Sequence, residues 1–569
     1  MTVEIKVPYL GHNVPKATVV RWLKQVGDDL KTAESVVELE AEKAVIAIES
    51  PTDGTLLEIV ASEGTVVKTE DLLGIAARPG ENASEKLPAA VASPNPEVPP
   101  PSLSPAERNF PRRVVVIGGG PGGYSTAIKA AQKGATVTLI EKDKLGGTCL
   151  NTGCMPTKSY LNKADILARL AASPVFRGIQ NAAIDMPQLV ASTCRAVDDL
   201  VQGIRLLMER YRIETVKGTA ALTGFRKVSV QPDDDKRYSM EADAVVIASG
   251  SVPMDIPGVE VNGHRVHNTD TIWKLDYVPQ RILIAGTGAV GVEFACIFSA
   301  LGSQVTLVEI LEQAMPGMDR EMADALSQAL RQRGVELLTS TRILEALDSE
   351  SAVAATIGNS ESHQTRKFDS VLIAAGRRPA VEDLGLANAD VRTEGGTIVV
   401  GPDMQTDSPG IYAVGDVVGQ PMLAHAAFHE ADVAVANIFG ADWRVDYRRI
   451  PYCVYSYPEV ASIGLTEEKA RAVVPRCKTV RFPFAANGKA KVSGETDGKV
   501  KIIYDEDLGE ILGAHIIGAH ATELIATLAT AVSAELSIDE VATVVMAHPT
   551  LSEAMAEAAQ MALGHAIHI

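Results

Sequence analysis

The sequence predicts an α/β protein with an all-β module in front of it, and three observations lead there. Two segments, VVVIGGGPGGYSTAIKAAQKGATVTLIEK and RILIAGTGAVGVEFACIFSALGSQVTLVEI, repeat one plan of strand, glycine loop, helix and strand. The first 79 residues instead alternate polar and apolar positions in short runs such as SVVELE and AVIAIES, broken at Gly27, Asp53-Gly54 and Gly64. Aromatic residues make up 4% of the chain while glycine numbers 46, a balance that leans towards α/β architecture.

The 569 residues exceed the roughly 250–300 at which a single core stops growing, so the chain divides into several domains. A hydrophobic share of 46% beside 22% charged residues is that of globular material. The net charge of −19 argues against nucleic acid or an anionic membrane as a general partner, since both require clustered positive charge. The start, MTVEIKVPYL, lacks a basic stretch followed by an apolar one, and no run of about 18 apolar residues could span a bilayer, so a cytoplasmic location is expected. Six cysteines over this length do not form a dense structural framework, so any disulfide is expected to be catalytic.

Residues 80–110 change composition abruptly, with seven prolines from Pro88 to Pro105. A flexible Pro/Ala-rich linker is expected, because proline favours extended polyproline II at roughly 3.1 Å per residue. In the module before it, VGDDLKTAE and EGTVVKTED flank a central EAEKA, the mark of an internally repeated sandwich with Lys43 at its middle. Through VVRWLKQVGDDL, ELEAEKAVIAIESPTDGTL and EGTVVKTEDLL, residues 1–79 resemble the lipoyl domains of 2-oxo acid dehydrogenase complexes. The resemblance implies covalent lipoate on Lys43, which follows Glu42. Biotin carriers flank their lysine with methionines, which Glu42 and Ala44 do not supply, and Glu40-Ala41-Glu42 departs from the more usual Thr-Asp.

In the first βαβ unit, Gly118 permits the tight turn, Gly120 lets backbone approach a pyrophosphate at a helix N-terminus, and Gly123 lets the helix pack on the sheet. Glu141 then stands ready for a ribose hydroxyl. Gly286, Gly288, Gly291 and Glu309 repeat the set, and 141 − 118 and 309 − 286 are both 23. One such fingerprint is weak evidence; two in full context point to two dinucleotides. A carboxylate about 4 Å from a 2′-phosphate costs on the order of 4 kcal/mol at an effective dielectric near 20. Ile310, Leu311 and Glu312 after Glu309 offer no arginine to offset this, so NAD is favoured over NADP.

Between the two units, GGTCLNTGCMPTKSYL places Cys149 and Cys154 five positions apart. Residues so spaced in a regular helix rise about 7.5 Å and face different sides, beyond the usual Cα separation of a disulfide. Pairing therefore requires a distorted helix start, for which Gly153 and Pro156 give the means. A metal site lacks a second Cys or His pair, and no metal is expected. Spacing alone leaves buried thiols, metal and disulfide open.

GGTCLNTGCMPTK also resembles the redox centre of the pyridine nucleotide-disulfide oxidoreductases, and the likeness runs over residues 112–569 through VVIASGSVP, VLIAAGRRP, TDSPGIYAVGDV, MLAHAAFHE, IPYCVYSYPEVASIGLTE and HPTLSEAMAEA. Its combination of motifs most resembles the family's dihydrolipoamide dehydrogenase branch. The resemblance implies two Rossmann-like dinucleotide-binding domains plus an α+β dimerisation domain behind the all-β lipoyl-type sandwich. It sets an FAD-binding and central domain at 111–252 and 383–449, an NAD-binding domain at 253–382 and a dimerisation domain at 450–569.

The same resemblance assigns Cys149 to thiol exchange with substrate and Cys154 to the flavin side, with Lys158 near the flavin and paired with Glu293. Gly218, Ser249, Gly250, Ser251, Asp416 and the run Met422, Leu423, Ala424 and His425 join the FAD set, although Ser249 replaces a commoner threonine. Ile343 and Gly376 join the NAD set. His548, oriented by Glu553, is the implied base, reaching the cysteines of a partner subunit in a homodimer. The implied reaction is NAD+-linked oxidation of dihydrolipoyl groups, with dihydrolipoyl transacylase and other components of a 2-oxo acid complex, pyruvate foremost, as partners. A reductase of glutathione-like or mercuric substrates is the rival, disfavoured by Glu309 and by a C-terminal GHAIHI without paired cysteines. A carrier or docking protein working mainly through residues 1–79 is the other. The remaining thiols, Cys194, Cys296, Cys453 and Cys477, are expected to be reduced and mostly in the core. His515, His520, His565 and His568 are expected to be ordinary surface or core residues.

Overall fold

A computed structural model describes residues 2–7, 17–41, 44–68, 71–77, 113–173, 175, 183–359, 361–419 and 421–569. The linker 80–110 and Lys43 lie outside the described residues. The chain divides into two units, 1–99 and 100–569.

In the first unit two four-stranded sheets face each other. One takes Thr2–Lys6, Leu72–Ala77, Gly54–Ile59 and Asp29–Leu30, the other Ala44–Glu49, Ser35–Ala41, Ala17–Trp22 and Val66–Val67. Each strand shares its sheet with the one at the mirror position in the order, first with eighth and third with sixth, as an internally repeated sequence requires. Alternation does the rest: Val19, Leu39, Leu56 and Leu73 point inwards and are fully buried. Ser35–Ala41 and Ala44–Glu49 pair antiparallel with Ala41 opposite Ala44, so the strands bracketing Lys43 form a hairpin.

The second unit is built on two sheets rich in parallel strands. In the first, Arg113–Ile117 lies between Thr136–Glu141 and Ala244–Ile247, all parallel, with Ile411–Ala413 beyond. Glu214–Gly224 extends the other edge and turns into an antiparallel ribbon with Lys227–Pro232 and Tyr238–Glu241. The second sheet orders Val266–Asn268, Ser370–Ile373, Arg281–Ala285, Gln304–Val308 and Glu336–Leu338, all parallel. Val114, Val115, Val116, Ile282, Leu283 and Ile284 are fully buried, as strands covered on both faces demand. In both sheets the first strand of the βαβ unit is central, so each glycine loop opens at the C-terminal edge, where open α/β sheets take ligands.

The C-terminal part is an antiparallel five-stranded sheet, Tyr452–Val454, Glu459–Gly464, Ile511–Gly518, Lys499–Asp505 and Cys477–Pro483, packed against Ala521–Ser533 and Glu553–Ala562. It joins the second parallel sheet's region through Lys501, whose 2%-exposed ammonium meets Asp319 at 2.8 Å, Glu467 at 2.9 Å and Glu321 at 3.2 Å. No helix among the described residues is long and apolar enough to cross a membrane.

Candidate functional site

Both glycine loops open onto one cavity of about 2830 Å³. Gly118 and Gly286 have φ of 105° and 99°, which side chains rarely adopt, and a Cβ on either would stand 2.2 Å from Ala248 O or 2.4 Å from Ala374 O. Gly123 and Gly291 do not line the cavity. They lie beneath the loops, where a Cβ would meet Gly118 O at 1.8 Å or Gly286 O at 1.9 Å. The middle glycines differ in kind. Gly120 and Gly288 have ordinary extended backbone, and a Cβ would meet only Gly147 Cα at 3.9 Å in the first case and nothing within 4 Å in the second.

Nothing in the chain itself therefore requires glycine at 120 or 288. Each is the N-cap of a helix, Pro121–Gln132 or Ala289–Ala300, that no side chain caps. Free N–H groups, the positive end of the helix dipole and open space fit a pyrophosphate that a Cβ would obstruct. A third helix with an uncapped start, Ala424–Ile438, presents Met422, Leu423, Ala424 and His425 to the same cavity. Glu141, Gly218, Ser249, Gly250, Ser251 and Asp416 line it as well, and so do Glu309, Ile343 and Gly376. Ser251 donates its hydroxyl to Asp416 Oδ2 at 2.5 Å, leaving the other carboxylate oxygen for a ligand.

The cysteine segment is broken between its two thiols, as pairing would need. Cys149 sits in the short helix Gly147–Asn151, Thr152 and Gly153 interrupt, and Cys154 begins the helix Cys154–Ala172. The break falls at Thr152-Gly153 rather than at Pro156, which occupies the first helical turn, where its missing N–H costs nothing. Both cysteines are free, half-buried thiols lining the cavity. They are joined by a hydrogen bond that makes them unequal. That bond, with burial, pushes the Cys149 thiol up. The same bond pulls Cys154 below its ordinary value, and the Lys158 ammonium adds to this against the effect of burial. Of the two, Cys154 is thus the one whose charged form the surroundings favour.

Lys158 Nζ donates to Glu293 Oε1 at 3.0 Å and Oε2 at 2.9 Å and lies 4.2 Å from the Tyr455 ring centroid. The Tyr455 N–H adds a 3.1 Å bond to Glu293 Oε1. Glu293, on the helix after the second glycine loop, is 4% exposed and well anchored. The helix of the redox cysteine and the helix of the second loop are therefore tied at the cavity.

A family described as pyridine nucleotide-disulphide oxidoreductase matches residues 112–431, more than half of the chain. The chain belongs to this family. Like the dihydrolipoyl dehydrogenases within it, such a flavoprotein disulfide oxidoreductase uses FAD and NAD. The family's dimerisation domain matches residues 450–559, and a domain described as biotin-requiring enzyme, the biotin/lipoyl type, matches 3–75. The dihydrolipoyl dehydrogenase of Bacillus subtilis is 39% identical over 459 residues, 80% of this chain and 99% of that one. That of Zymomonas mobilis is 35% identical over 460 residues, 80% and 98% of the two. The crystal structure of LpdA from Mycobacterium tuberculosis aligns with TM-score 0.74 and 26% identity, covering 79% of this chain and 99% of that one.

Within this oxidoreductase, His548 and Glu553 stand apart from the cavity. His548 Nδ1 and Glu553 Oε1 are 2.8 Å apart, and the imidazole is 78% exposed. Burial opposes the charge on Glu553, but bonds from the Thr550 N–H and His548 hold its carboxyl below its usual value. One chain forms the His–Glu pair without bringing it to the cysteines. Cys296 and Cys477 are buried as expected, and Cys453 is half-buried at the cavity. Cys194 corrects the expectation, since it is exposed on the outer face of the helix Met186–Arg210. His515 is a satisfied core residue, bonded to Ser462 Oγ at 2.8 Å and Leu465 O at 3.1 Å.

Sequence reading missed three residues at the site. Glu430, 1% exposed, accepts the Gly415 N–H at 2.6 Å and the Tyr447 hydroxyl at 2.8 Å beside Asp416, and burial pushes its carboxyl up. Trp273 and Arg377 grip the cysteine segment from outside. Trp273 lies in none of the motifs; Glu430 closes MLAHAAFHE, of which only Met422–His425 were singled out; Arg377 follows Gly376 in GRRP, and its charged fork in an apolar run was the available signal.

Proposed function

We propose that the protein is a dihydrolipoyl dehydrogenase, oxidising protein-bound dihydrolipoyl groups with NAD+. The observation that carries this reading is the thiol pair itself, Cys149 and Cys154 beside the Lys158–Glu293 pair in a cavity that both glycine loops share, with the charged form favoured at Cys154. In the oxidised protein, substrate thiolate attacks Sγ of Cys149, the Cys149–Cys154 bond breaks, and Cys154 leaves as thiolate. The lower pKa of Cys154 makes it the better leaving group and directs attack to Cys149. His548 of a second copy takes the substrate proton, and Glu553 holds the imidazole in the orientation that accepts it. The second substrate thiol then attacks the substrate sulfur of the mixed disulfide, releasing cyclic lipoyl disulfide; its proton passes to the departing Cys149 sulfur, and the proton held on His548 balances the Cys154 thiolate.

FAD, when bound, would supply the acceptor for the dithiol's electron pair, and NAD+ would be the final acceptor, as hydride. Gly118, Gly120, Glu141, Gly218, Ser249–Ser251, Asp416 and Met422–His425 would hold the flavin nucleotide, with Gly123 letting the loop close beneath it. Gly286, Gly288, Glu309, Ile343 and Gly376 would hold NAD, with Gly291 in the same supporting place. Lys158 keeps positive charge beside the Cys154 thiolate, and Glu293 fixes it there. The FAD-binding and central region is assigned to 111–252 and 383–449, the NAD-binding region to 253–382, and the dimer contact to 450–569.

The active form is a homodimer in a cytoplasmic 2-oxo acid dehydrogenase complex, with dihydrolipoyl transacylase as the donor of reduced lipoyl groups. Lys43, lipoylated and tethered by the linker 80–110, serves as an extra swinging arm, since tethering raises effective concentration to about the millimolar range. Dihydrolipoamide added to the FAD-loaded protein without NAD+ is expected to bleach the flavin; an unchanged oxidised spectrum refutes the activity. Intact mass of residues 1–79 tests the adduct on Lys43, and normal complex turnover in Lys43→Arg would remove the relay.

A further inference from the structure

The segment bearing both cysteines is held by residues remote from it in sequence. At its break, the Thr152 hydroxyl donates to Asp270 Oδ1 at 3.3 Å and the Thr152 carbonyl accepts Trp273 Nε1 at 2.8 Å. At its start, Thr148 Oγ1, beside Cys149, accepts from Arg377 Nη2 at 3.3 Å. Arg377 reaches much further. Its Nη2 also donates to the Ser251 carbonyl at 2.9 Å, its Nε to Ser251 Oγ at 2.8 Å, and its Nη1 to Thr269 Oγ1 at 3.0 Å and Asp270 Oδ1 at 3.4 Å. Ser251 Oγ passes the chain on by donating to Asp416. The guanidinium, 16% exposed, thus binds five oxygens on three segments, and two of its partners, Thr148 and Asp270, bracket the redox segment.

We propose that Arg377 is a positioning residue for the redox pair. With Asp270 it fixes Thr148 and Thr152, and so fixes the direction in which Cys149 Sγ meets an incoming thiol. A guanidinium suits this because its planar fork of N–H donors holds geometry and never loses its charge. The same fork aligns Ser251 on Asp416, so one side chain sets the redox segment against the floor of the cavity. A purely structural role would weaken all steps alike; positioning of Cys149 affects thiol exchange and spares electron exit to NAD+. The inference rests on the redox role proposed for Cys149 and Cys154.

The test compares half-reactions in the FAD-loaded, full-length protein by rapid mixing, using Arg377→Gln, Arg377→Lys and Asp270→Asn. Arg377→Gln is expected to slow flavin reduction by dihydrolipoamide by roughly tenfold or more, while reoxidation of the reduced flavin by NAD+ stays within about twofold. Arg377→Lys, with the charge but without the fork, should be equally slow, and Asp270→Asn intermediate. Unchanged reduction by dihydrolipoamide, or equal slowing of both half-reactions, overturns the proposal. Should Arg377→Gln lose its flavin, Asp270→Asn decides by the same ratio, since it leaves Ser251 and Asp416 untouched. Wild-type protein that dihydrolipoamide does not reduce would overturn the dehydrogenase activity itself, a result distinguishable from the others.

Discussion

The two glycine loops turn alike and differ in how each closing acid is held and in what leans on the loop. In both, the third glycine passes under the first with room for hydrogen alone. Glu141 accepts the Gly119 N–H at 2.6 Å and the Asp143 N–H at 2.7 Å and remains half-exposed. Glu309 accepts the N–H and hydroxyl of Thr287 at 3.0 and 2.6 Å and the Leu311 N–H at 3.0 Å, and is 5% exposed. Thr287, standing where the first loop has Gly119, adds the extra donor. The redox segment rests on the first loop alone: the Gly146 N–H donates to Gly119 O at 2.9 Å, and a Cβ on Gly147 would stand 2.7 Å from Gly120 Cα. The second loop contributes through its helix, by Glu293. The glycines thus set the shape the two loops share, and the residues around them set the differences on which the proposed flavin and NAD roles rest.

The largest effect should come from treating the two under-loop glycines alike. Gly123→Ala and Gly291→Ala both force backbone apart, at a cost of about 1–3 kcal/mol each. Gly123→Ala is expected to purify largely without flavin, whereas Gly291→Ala keeps its flavin absorbance and shows a KM for NAD+ raised by at least roughly tenfold. A flavin-free Gly291→Ala would break the distinction between the loops.

The acids offer a sharper and smaller contrast. On the proposed NAD assignment, Glu309→Gln removes the charge that would face a 2′-phosphate, so the preference for NAD over NADP in kcat/KM should fall by about 10²-fold, with about 10³-fold as the ceiling. Glu141→Gln should leave that preference unaltered. Equal change in both variants would mean that the loops share one nucleotide role.

The gentlest test concerns the helices. Lys158 favours the charged form of Cys154, so in Lys158→Met the thiolate of the reduced protein should appear at higher pH than in the wild type. The sign follows from the depressed value: thiolate is present above it and is lost as pH falls through it. Ultraviolet thiolate absorbance of the reduced protein against pH measures the shift, and a movement to lower pH would contradict the role given to Lys158.

Local rules were legible in advance. A tight turn, a helix crossing a strand end and an open helix N-terminus each constrain residues within a few positions, so Gly118, Gly123 and their second-copy equivalents stand out in the string of letters. His548 and Glu553 are five positions apart and meet for the same reason. Lys158 and Glu293 are separated by 135 positions, and only family likeness linked them beforehand. Cys194 was misjudged because which face of the helix Met186–Arg210 points inwards depends on what packs against it.

By itself the sequence determined two βαβ units, an acid at the end of each and a repeated β module, because short-range sterics and periodicity leave few alternatives; between the two cysteines it required a broken helix only if they pair. Tertiary structure decided the chemistry of the cavity. It alone makes Cys154 the lower thiol of the pair, sets Glu293 against Lys158 and gathers Thr148, Ser251, Thr269 and Asp270 around Arg377. Charge and hydrogen-bond geometry act through space at a few ångströms, and only packing brings segments so distant along the chain within that reach.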